Sequence, residues 1–414
     1  MRTAAPAPDA ALATPALAVV AAAGFDGEHL HTTPFTLRVR DGRIEGLDPG
    51  DHGSALAARG YRVLSVPFLL PGLIDAHVHL FLDGAPTDQA VRSAHLKQDV
   101  PALTEAARRS ARQALACGIT TVRDAGDRHG INNTVRQEAI PPTSGLCHVR
   151  SGGLGVKRAK RYGAFMAQDV DDAQSITTSV RALARANDEI KLILTGIIDF
   201  DAGAVTDEPQ FDVDAARLVV ATAHAAGRRV FAHCSGEKGL AVAAAAGVDS
   251  IEHGFFMTRE VLAVMRDKGL AWTPTFCPVH FQWAEPQAVG WSANTVGNLR
   301  RILDRHAEHV RLAHEMGVVL LAGTDAGSMG VEHGKALWDE LDRLHEAGLP
   351  VAACLAAATS APRRHFGATA AAWAVGQAFD ALALATPPDT DMRALRRPLA
   401  VWRDGVPCAP VVSA

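Results

Sequence analysis

Apolar and polar positions follow two different patterns along this chain. Up to residue 66, segments such as LAVVAAAG, FTLRVRDGRI and YRVLSVP are typical of short strands, with DG and GDHG as turns between them. From about residue 67, apolar strands alternate with amphipathic helices. One such helix is predicted over 212–227, opened by Asp212 and closed by Gly227, and another over 334–348. This alternation predicts an α/β fold with a parallel sheet.

The repeating region contains enough units for a closed ring of strands. We predict eight strands, at 68–79, 118–124, 145–151, 189–195, 229–234, 248–253, 270–277 and 317–324. Eight strand–helix units in about 300 residues are typical of a (β/α)8 TIM barrel. A doubly wound sheet is the alternative, but it would gather its ligands at one switch point.

The two ends of the chain share a strand-like pattern. After about residue 368 the segments AWAVGQAFDALALA and RPLAVWRDGVP have no helical period. We expect them to pair with the N-terminal strands, which would cover exposed strand edges. The predicted organisation is residues 1–66 as the N-terminal part of a small β-sandwich, 67–367 as the barrel, and 368–414 as the C-terminal part of the sandwich.

Six residues with ligand-type side chains occur at the same phase of the repeat, where apolar runs end. His77 and His79 form a His-x-His pair in PGLIDAHVHL, and alternate residues of a strand point to one side. The other four are Lys191 in DEIKLILTG, His233 in RRVFAHCSG, His253 in VDSIEHG and Asp325 in VVLLAGTDAG. Taken singly, each has an ordinary structural explanation. Their shared phase predicts one site at the mouth of the barrel. Strands 1, 4, 5, 6 and 8 contribute its residues.

The chemistry of these side chains indicates metal. Imidazole and carboxylate suit zinc and its first-row neighbours, and six ligands exceed the need of one tetrahedral ion. We therefore predict two divalent ions, zinc or else Mn, Co or Ni, that hold an attacking hydroxide and polarise a carbonyl. Lys191 can take part only when neutral or modified. Burial lowers a lysine pKa, and a neutral amine can add CO2 to become a bridging carbamate. The alternative is that Lys191 pairs with Asp188 or Glu189 at the surface.

The composition of the chain excludes some function classes. The 414 residues are 48% hydrophobic and 21% charged, with a net charge of −4, so nothing suggests binding to nucleic acid or to a membrane surface. The six cysteines show no framework spacing, which is typical of reduced thiols in a cytoplasmic protein. The Ala/Pro-rich N-terminus is a poor signal peptide, and we interpret it as a tail. No apolar stretch is long enough for a membrane span.

The ordered set of motifs resembles the amidohydrolase superfamily. PGLIDAHVHL, GITTVRDAG, AHCSG, SIEHG and AGTDAG carry this resemblance, which is strongest to the imidazolonepropionase and Xaa-Pro dipeptidase-like branch. The segments AATSAPRRHFG and VGQAFDALAL resemble the usual ending of that branch, so the resemblance covers nearly the whole chain. Departures are Cys234 and Ser235 in place of a polar HAHG sequence, and the loop SGGLGVKRAKRYG after strand 3.

The resemblance implies a role for each of the six residues. His77 and His79 would bind the more buried ion with Asp325, and His233 and His253 the more exposed one. Carbamylated Lys191 would bridge the two. Asp325 would also accept a proton from the attacking hydroxide and pass it to the leaving nitrogen, as a carboxylate beside a nucleophile can.

Substrate contacts are predicted from the loops around the barrel mouth. The loop after strand 3 carries basic residues that could hold a substrate carboxylate. The candidates for substrate binding are His148, Arg150, Arg158, Arg161, Tyr162 and His280. Arg123 and Asp124 are interpreted as a structural pair, and His306 as a surface residue of a helix.

The predicted function is metal-dependent hydrolysis of a C–N bond in a small molecule: an amide, a cyclic amide or a dipeptide-like compound. A one-metal deaminase remains an alternative, although Glu237 is four residues after His233 rather than three and Lys191 would then have no purpose. A lactone or phosphoester hydrolase would use the same metals. A non-enzymatic scaffold would be expected to lose ligands, and all six are present. Barrels of this type often assemble, so a homo-oligomer is an alternative to a monomer.

Overall fold

A computed structural model of the chain describes residues 16–369 and 371–408. The predicted tail at residues 1–15 and the last part of the predicted sandwich, 409–414, lie outside these residues. Within the described part, no helix combines the length and the apolar character needed to cross a membrane.

The N-terminal segment supplies strands to a single sheet, with one short helix between them. Its elements are β1 (Leu17–Phe25), β2 (Leu30–His31), β3 (Phe35–Arg40), β4 (Arg43–Pro49), α1 (Gly53–Ala58) and β5 (Arg62–Pro71).

The central segment alternates strands and helices as predicted. Its elements are β6 (Leu73–Val78), α2 (Gln89–His95), α3 (Val100–Ala116), β7 (Ile119–Asp124), α4 (Ile131–Glu138), a 3-10 helix (Pro142–Ser144), β8 (His148–Ser151), β9 (Gly155–Lys157), β10 (Ala167–Asp169), α5 (Ala173–Ala186), β11 (Glu189–Ile193), α6 (Val213–Ala225), β12 (Arg229–Cys234), α7 (Glu237–Ala246), β13 (Ser250–His253), α8 (Arg259–Lys268), β14 (Ala271–Thr273), α9 (Phe276–Ala284), α10 (Pro286–Val289), α11 (Ala293–Met316), β15 (Val319–Leu320), α12 (Lys335–Glu346), α13 (Val351–Ala357) and α14 (Ser360–His365).

The C-terminal segment returns to the first sheet. Its elements are β16 (Ala381–Leu384), a second 3-10 helix (Met392–Arg396), β17 (Ala400–Arg403) and β18 (Val406–Cys408). The resulting eight-stranded sheet, here called the terminal sheet, has the order β18-β17-β16-β5-β1-β3-β4, with β2 paired to β1. Its edge strand β4 contacts the segment that leads into β16, because Phe379 N donates to Gly42 O at 2.8 Å and Ile44 N donates to Gln377 O at 2.9 Å.

The central strands form two parallel sheets, of order β10-β9-β11-β12-β13-β14-β15 and β6-β7-β8. Backbone hydrogen bonds join the two sheets at both edges of the smaller one: Asp325 N donates to His77 O of β6 at 2.7 Å, and Asp188 N, directly before β11, donates to Ser151 O of β8 at 3.0 Å. The ladder is nevertheless not a continuous ring. On one side the short strand β15 ends before the contact with β6, and on the other β9 takes the place beside β11. The fold is thus mixed α/β with parallel sheets.

Three predicted strands differ from the structure: the predicted strand 317–324 is only the two residues of β15 (Val319–Leu320), and two others have wrong boundaries. The predicted strand 68–79 is two strands, because Gly72 separates β5 of the terminal sheet from β6. A Cβ at Gly72 would lie 2.2 Å from Thr120 Oγ1, so the two strands can meet β7 only at a residue without a side chain. The predicted strand 270–277 ends at Thr273, and Phe276 already begins α9.

We expect Leu382→Ala to destabilise the whole fold. Leu382 in β16 is fully buried, pairs with Leu70 of β5, and packs against Gly118 just before β7. Removing three side-chain carbons from a close-packed site costs about 2–5 kcal/mol. The measurement is the free energy of unfolding in urea. Leu399→Ala is the matched control, since Leu399 is 54% exposed and should change stability by less than about 0.5 kcal/mol. Equal effects of the two variants would mean that the terminal sheet does not pack on the parallel sheets.

Candidate metal centre

The carboxyl ends of the parallel strands bring all six predicted ligand residues to one end of the structure. His77 lies in β6 and His79 directly follows it, while Lys191 is central in β11. The remaining three lie at or after strand ends: His233 in β12, His253 at the end of β13, and Asp325 after β15. Because parallel strands share one direction, residues at their ends converge.

Three of the six residues form a compact trio. Asp325 Oδ1 lies 3.7 Å from His77 Nε2 and 3.6 Å from His79 Nε2. The candidate ligand atoms of His77, His79 and Asp325 all lie within 4.8 Å of one another. Ligand atoms at about 2.0–2.1 Å from a tetrahedral zinc ion are about 3.3–3.5 Å apart, so the trio needs only a small contraction to hold one ion.

The other two histidines lie directly beside this trio. The ring of His253 is 5.0 Å from that of His77 and 4.6 Å from that of His233, measured between centroids. His253 therefore lies between the trio and His233. The four imidazoles form one continuous group rather than two separate sites.

Each of these four rings is held by one nitrogen, which leaves the opposite nitrogen available. His77 Nδ1 lies 2.7 Å from Glu252 Oε2, and His79 Nδ1 lies 3.1 Å from the Gly126 carbonyl. His253 Nδ1 lies 2.8 Å from Thr275 Oγ1. Metal-ligating histidines show the same arrangement, in which an oxygen fixes the tautomer and the orientation of the ring.

His233 is fixed by its Nε2 atom, which lies 3.4 Å from the Gly196 carbonyl, so its available nitrogen is Nδ1. Burial lowers the pKa of both His79 and His233 to about 3, and it also lowers that of His77 and His253. All four rings are therefore neutral at pH 7, which is the form that binds a metal ion.

Lys191 has an ammonium group without a hydrogen-bonding partner. Its Nζ is buried and has no hydrogen-bond partner among the described residues. It lies 4.8 Å from the ring centroid of Phe231. The alternative of a surface pair is wrong, because Asp188 binds Arg136 and Glu189 is itself buried. Burial lowers the pKa of Lys191 to about 8, so a neutral amine is accessible.

Two buried polar atoms thus lack a protein partner where the six side chains meet: Lys191 Nζ and His77 Nε2. A buried polar atom without a partner is costly, so such atoms indicate a missing bound group. A cation would satisfy His77 Nε2 directly. Addition of CO2 to Lys191 would convert its buried donor into an anionic acceptor for the same cations. The donor set therefore fits bound metal.

A buried ion pair supports His77 from behind. Arg123 of β7 donates from Nη2 to Glu252 Oε1 at 2.7 Å, while the other oxygen of Glu252 holds His77. Arg123 also donates from Nε to the Ala76 carbonyl at 2.6 Å. Arg123 and Asp124 do not pair with each other, because Asp124 accepts from the backbone amides of Leu80, directly after the His-x-His pair, and of Gly126, in the loop after β7. Sequence reasoning missed Glu252, although an acid directly before a strand-end histidine was a visible signal.

Helix α12 fixes the loop that orients His253. The Glu340 carboxylate accepts from Phe276 N at 2.9 Å and from Cys277 N at 3.1 Å, directly after Thr275. Burial raises the pKa of Glu340 to about 8. No sequence signal connected Glu340 with this loop, because the two segments are separated by more than sixty residues.

His79 and Asp325 of the trio line a cavity of about 360 Å3 together with the other two histidines, while His77 is fully buried and does not reach it. Its polar floor includes His79, His233, His253 and Asp325. Its walls are mainly apolar and aromatic, and include Leu82, Tyr162, Phe165, Met166, Phe200 and Phe255. Arg92 of α2 also lines it, a residue that sequence reasoning did not single out. The arrangement can hold a small molecule with a polar reacting group near the floor and an apolar body above.

Tyr162, in the basic loop after β8, is the one predicted substrate residue that lines the cavity. Arg158 instead donates from Nη1 to Val170 O at 2.9 Å, and Arg161 donates to Glu208 O. Both guanidinium groups therefore tie loops to one another. Their positions do not support the predicted carboxylate contact.

His148 and Arg150 do not line the cavity. His148 begins β8, so it faces the terminal sheet, where its Nε2 lies 3.1 Å from Asp404 Oδ2 and its Nδ1 lies 3.1 Å from an Arg403 nitrogen. Arg150 stacks on Phe366. The sequence indicated the strand but not which of its residues face the mouth, and the geometry does not support substrate contacts for these two.

Two further residues of the sequence analysis line other cavities. His280 lies beside Arg343, whose Nη1 is 3.1 Å away, in a cavity between α9 and α12. Glu237, the acid considered for a deaminase, lines a cavity of about 260 Å3 near the start of α7. Neither is among the residues around the trio.

Comparisons with known proteins agree with this arrangement. The sequence model described as Amidohydrolase family matches residues 68–408. An uncharacterized protein of Mycobacterium tuberculosis is 30% identical over 338 residues, which cover 81% of this chain and 82% of that protein. The ochratoxinase of Aspergillus niger is 25% identical over 82% of this chain and 75% of the relative.

Solved structures are similar in fold. A Xaa-Pro dipeptidase with methionine in its active site has a TM-score of 0.81 at 23% identity, covering 95% of this chain and 99% of that one. The crystal structure of Aspergillus niger ochratoxinase has a TM-score of 0.79 at 20% identity, covering 96% of each chain.

We expect Thr275→Val to weaken metal binding. The variant keeps the shape of the side chain but removes the oxygen that holds His253 Nδ1. Loss of such an orienting contact typically lowers metal affinity about 10- to 100-fold. The measurement is metal retained per chain, by elemental analysis, after dialysis against increasing chelator. Thr206→Val is the matched control, because Thr206 is an exposed threonine on the loop before α6. If both variants retain metal like the wild type, Thr275 does not orient a ligand.

Proposed function

This chain belongs to the amidohydrolase family, and we propose that it hydrolyses a C–N bond with the help of two divalent metal ions. It is a metal-dependent hydrolase that acts on a small molecule. The bond would be that of an amide, a cyclic amide or a dipeptide-like compound. The observation that carries this proposal is the trio of His77, His79 and Asp325, of which His79 and Asp325 line the cavity together with His253.

The proposed ligand assignment follows the geometry. The trio would hold the more buried ion, and His233 with His253 the more exposed one. Lys191, as a carbamate, would bridge them: its neutral amine bonds to the carbon of CO2 and loses one proton. The absence of a described partner for Lys191 Nζ and its burial support this role. Zinc is the proposed metal, with Mn, Co or Ni as alternatives.

Bound divalent ions would polarise a substrate carbonyl and lower the pKa of water towards about 7. The chain itself would position the reaction and move the proton. Asp325 Oδ1 faces the two histidines, while its Oδ2 accepts from the Ser328 hydroxyl at 3.0 Å. Burial raises the pKa of Asp325 to about 6, so its carboxylate can take a proton from the attacking water and release it to the leaving nitrogen.

The choice of bond rests on the relatives. One solved structure of similar fold is described as a Xaa-Pro dipeptidase, whose substrate contains a peptide bond. This favours C–N cleavage over a lactone or phosphoester. The deaminase alternative needs an acid close to His233. Glu237, the acid considered for that role, is not among the residues that line this cavity.

We also propose how the described sheets are organised. The two parallel sheets would form one distorted TIM barrel, since backbone hydrogen bonds link their edges on both sides. The terminal sheet, folded so that β4 contacts the segment before β16, would be the β-sandwich. From this we propose that the sandwich takes the strands up to Pro71 and those from Ala381 onward, and that the barrel lies between them; the predicted limit at residue 66 is too early, because β5 belongs to the terminal sheet.

The experiment that tests the function is metal content per chain combined with a screen for amine release. The screen would contain N-acyl amino acids, dipeptides and cyclic amides, assayed on protein purified without chelator. About two metal equivalents together with amine release support the proposal. Protein that holds no metal after reloading with metal and bicarbonate would contradict the proposal. So would protein that holds one metal equivalent and releases ammonia from its substrate.

We expect Asp325→Asn to retain protein-bound metal to a large extent but to lose turnover by about 10²- to 10⁴-fold, since a carboxamide cannot shuttle the proton. The measurement is kcat together with metal content by elemental analysis. Asp304→Asn is the control, because Asp304 is an exposed acid on α11. Near-normal turnover of Asp325→Asn would remove this residue as the proton shuttle.

We expect Lys191→Ala to lower the metal content, because it removes the proposed bridging ligand. A short carboxylic acid such as propionate, added with metal, should restore part of the binding. In wild-type protein incubated with 13C-bicarbonate, a carbamate carbon signal should appear in the NMR spectrum and be lost in the variant. Lys97→Ala, a change of an exposed lysine, should keep the signal. Two full metal equivalents in Lys191→Ala would refute the bridge.

A further inference from the structure

We propose that the substrate carries a carboxylate that binds Arg92 and a large apolar group that packs against the aromatic wall of the cavity. An N-acyl amino acid or a dipeptide with an apolar side chain has this chemistry. The inference rests on the proposed function and specifies the substrate class for the same site. Its first observation is the guanidinium of Arg92, which lines the cavity from α2.

Arg92 is held rigidly by neutral oxygen atoms. Its Nη1 donates to the carbonyls of Asp83 at 2.8 Å and Pro86 at 3.4 Å, and its Nη2 donates to that of Gly327 at 3.0 Å. These bonds use three of the five N–H groups. One N–H on Nε and one on Nη2 remain, which is the pair that a carboxylate can accept side-on.

The charge of Arg92 forms no direct ion pair, although Asp83 and Asp325 attract it at longer range. Among residues 16–369 and 371–408, no carboxylate lies within 4.0 Å of its guanidinium, although many other arginines here have one. It is also the one Arg or Lys side chain among the described residues that line this cavity. A half-buried cation beside an apolar cavity favours an anionic ligand, because the ligand restores the electrostatic interaction lost with water.

The position of Arg92 relates it to the proposed chemistry. Its bond to the Gly327 carbonyl fixes it to the turn that begins with Asp325. An anion bound there would lie on the α2 side of the cavity, next to the floor. The scissile bond and the carboxylate would then be close in the substrate, as they are when the amide nitrogen belongs to an amino acid.

The second observation is the apolar character of the aromatic wall and of the rim. Tyr162 and Phe165 are adjacent rings, 6.1 Å apart, and Phe165 lies 6.4 Å from the His79 ring. At the rim, Leu96 is 45% and Ile197 62% exposed, and both line the cavity. Exposed apolar side chains around a concave site are typical of binding surfaces for apolar groups. A volume of about 360 Å3 suits a ligand of dipeptide size.

The test compares two ligands of equal shape on the full-length, metal-loaded protein. 3-Phenylpropionate is the anionic probe and 3-phenylpropanamide the neutral one, with binding measured by calorimetry. The wild type should bind the acid more tightly. Arg92→Gln should weaken binding of the acid about 10- to 100-fold, the usual range for a lost charge-assisted hydrogen bond, and change binding of the amide less than about twofold. Metal contributes to both proteins alike, so it cancels in this comparison.

The control variants distinguish the loss of the positive charge at Arg92 from a general disturbance of the fold. Arg161→Gln removes a neighbouring positive charge that does not line the cavity, and it should leave both affinities unchanged. If Arg92→Gln loses both ligands, Arg92→Lys decides, because it keeps the cation. Binding of acid and amide with equal affinity by Arg92→Lys, or an unchanged preference for the acid in Arg92→Gln, would overturn the proposal. So would a wild type that does not discriminate between the two probes.

Failure of this inference is distinguishable from failure of the proposed function. Ligand binding requires no turnover, so an acid preference that depends on Arg92 can exist in a protein that cleaves no C–N bond. Conversely, an active enzyme can lack that preference. With an active enzyme, Arg92→Gln should raise KM for N-acetylphenylalanine and leave kcat nearly unchanged, while N-acetylphenylalaninamide should show no such change.

Discussion

The ion pair between Arg123 and Glu252 is the interaction on which the geometry of the centre depends. Both side chains are fully buried, and burying an ion pair costs much of what its attraction returns. The pair is retained here because further bonds satisfy it: Ser250 donates to Glu252, and the Ala76 carbonyl accepts from Arg123. The free oxygen of Glu252 then fixes His77. One polar network thus joins β6, β7 and β13 and sets the orientation of the most buried ring.

The same network explains why the centre could be predicted from sequence while its support could not. Strand ends recur with the period of the fold, so His233, His253 and Asp325 could be recognised from the apolar runs that precede them. The partners that orient them come from other repeats. Thr275 depends on Glu340 of α12, and Arg92 belongs to a short helix that follows β6. Nothing in the local sequence of either connects it with the site.

Burial was the other property that local patterns could not give. His306 was predicted at the surface because polar residues surround it in α11. It is buried instead, with its ring stacked 3.9 Å from Phe255 and its Nε2 bound to the Pro274 carbonyl. The basic loop after β8 shows the converse. Its charges indicated an anionic ligand, but Arg158 finds its acceptors in neighbouring loops. Which partner a side chain takes is decided by long-range packing.

The backbone provides an independent argument that this end of the structure is a functional site. His253, Thr275 and Asp325 all have a positive φ, of 67°, 50° and 56°, a conformation that costs a residue with a side chain about 1–3 kcal/mol. Such strain persists only where other bonds fix it. Asp325 N donates to His77 O, the His253 carbonyl accepts from Trp272 Nε1, and Glu340 holds the amides after Thr275. Two proposed metal ligands and the side chain that orients one of them are therefore held in place at the expense of stability, as expected when position rather than packing is selected.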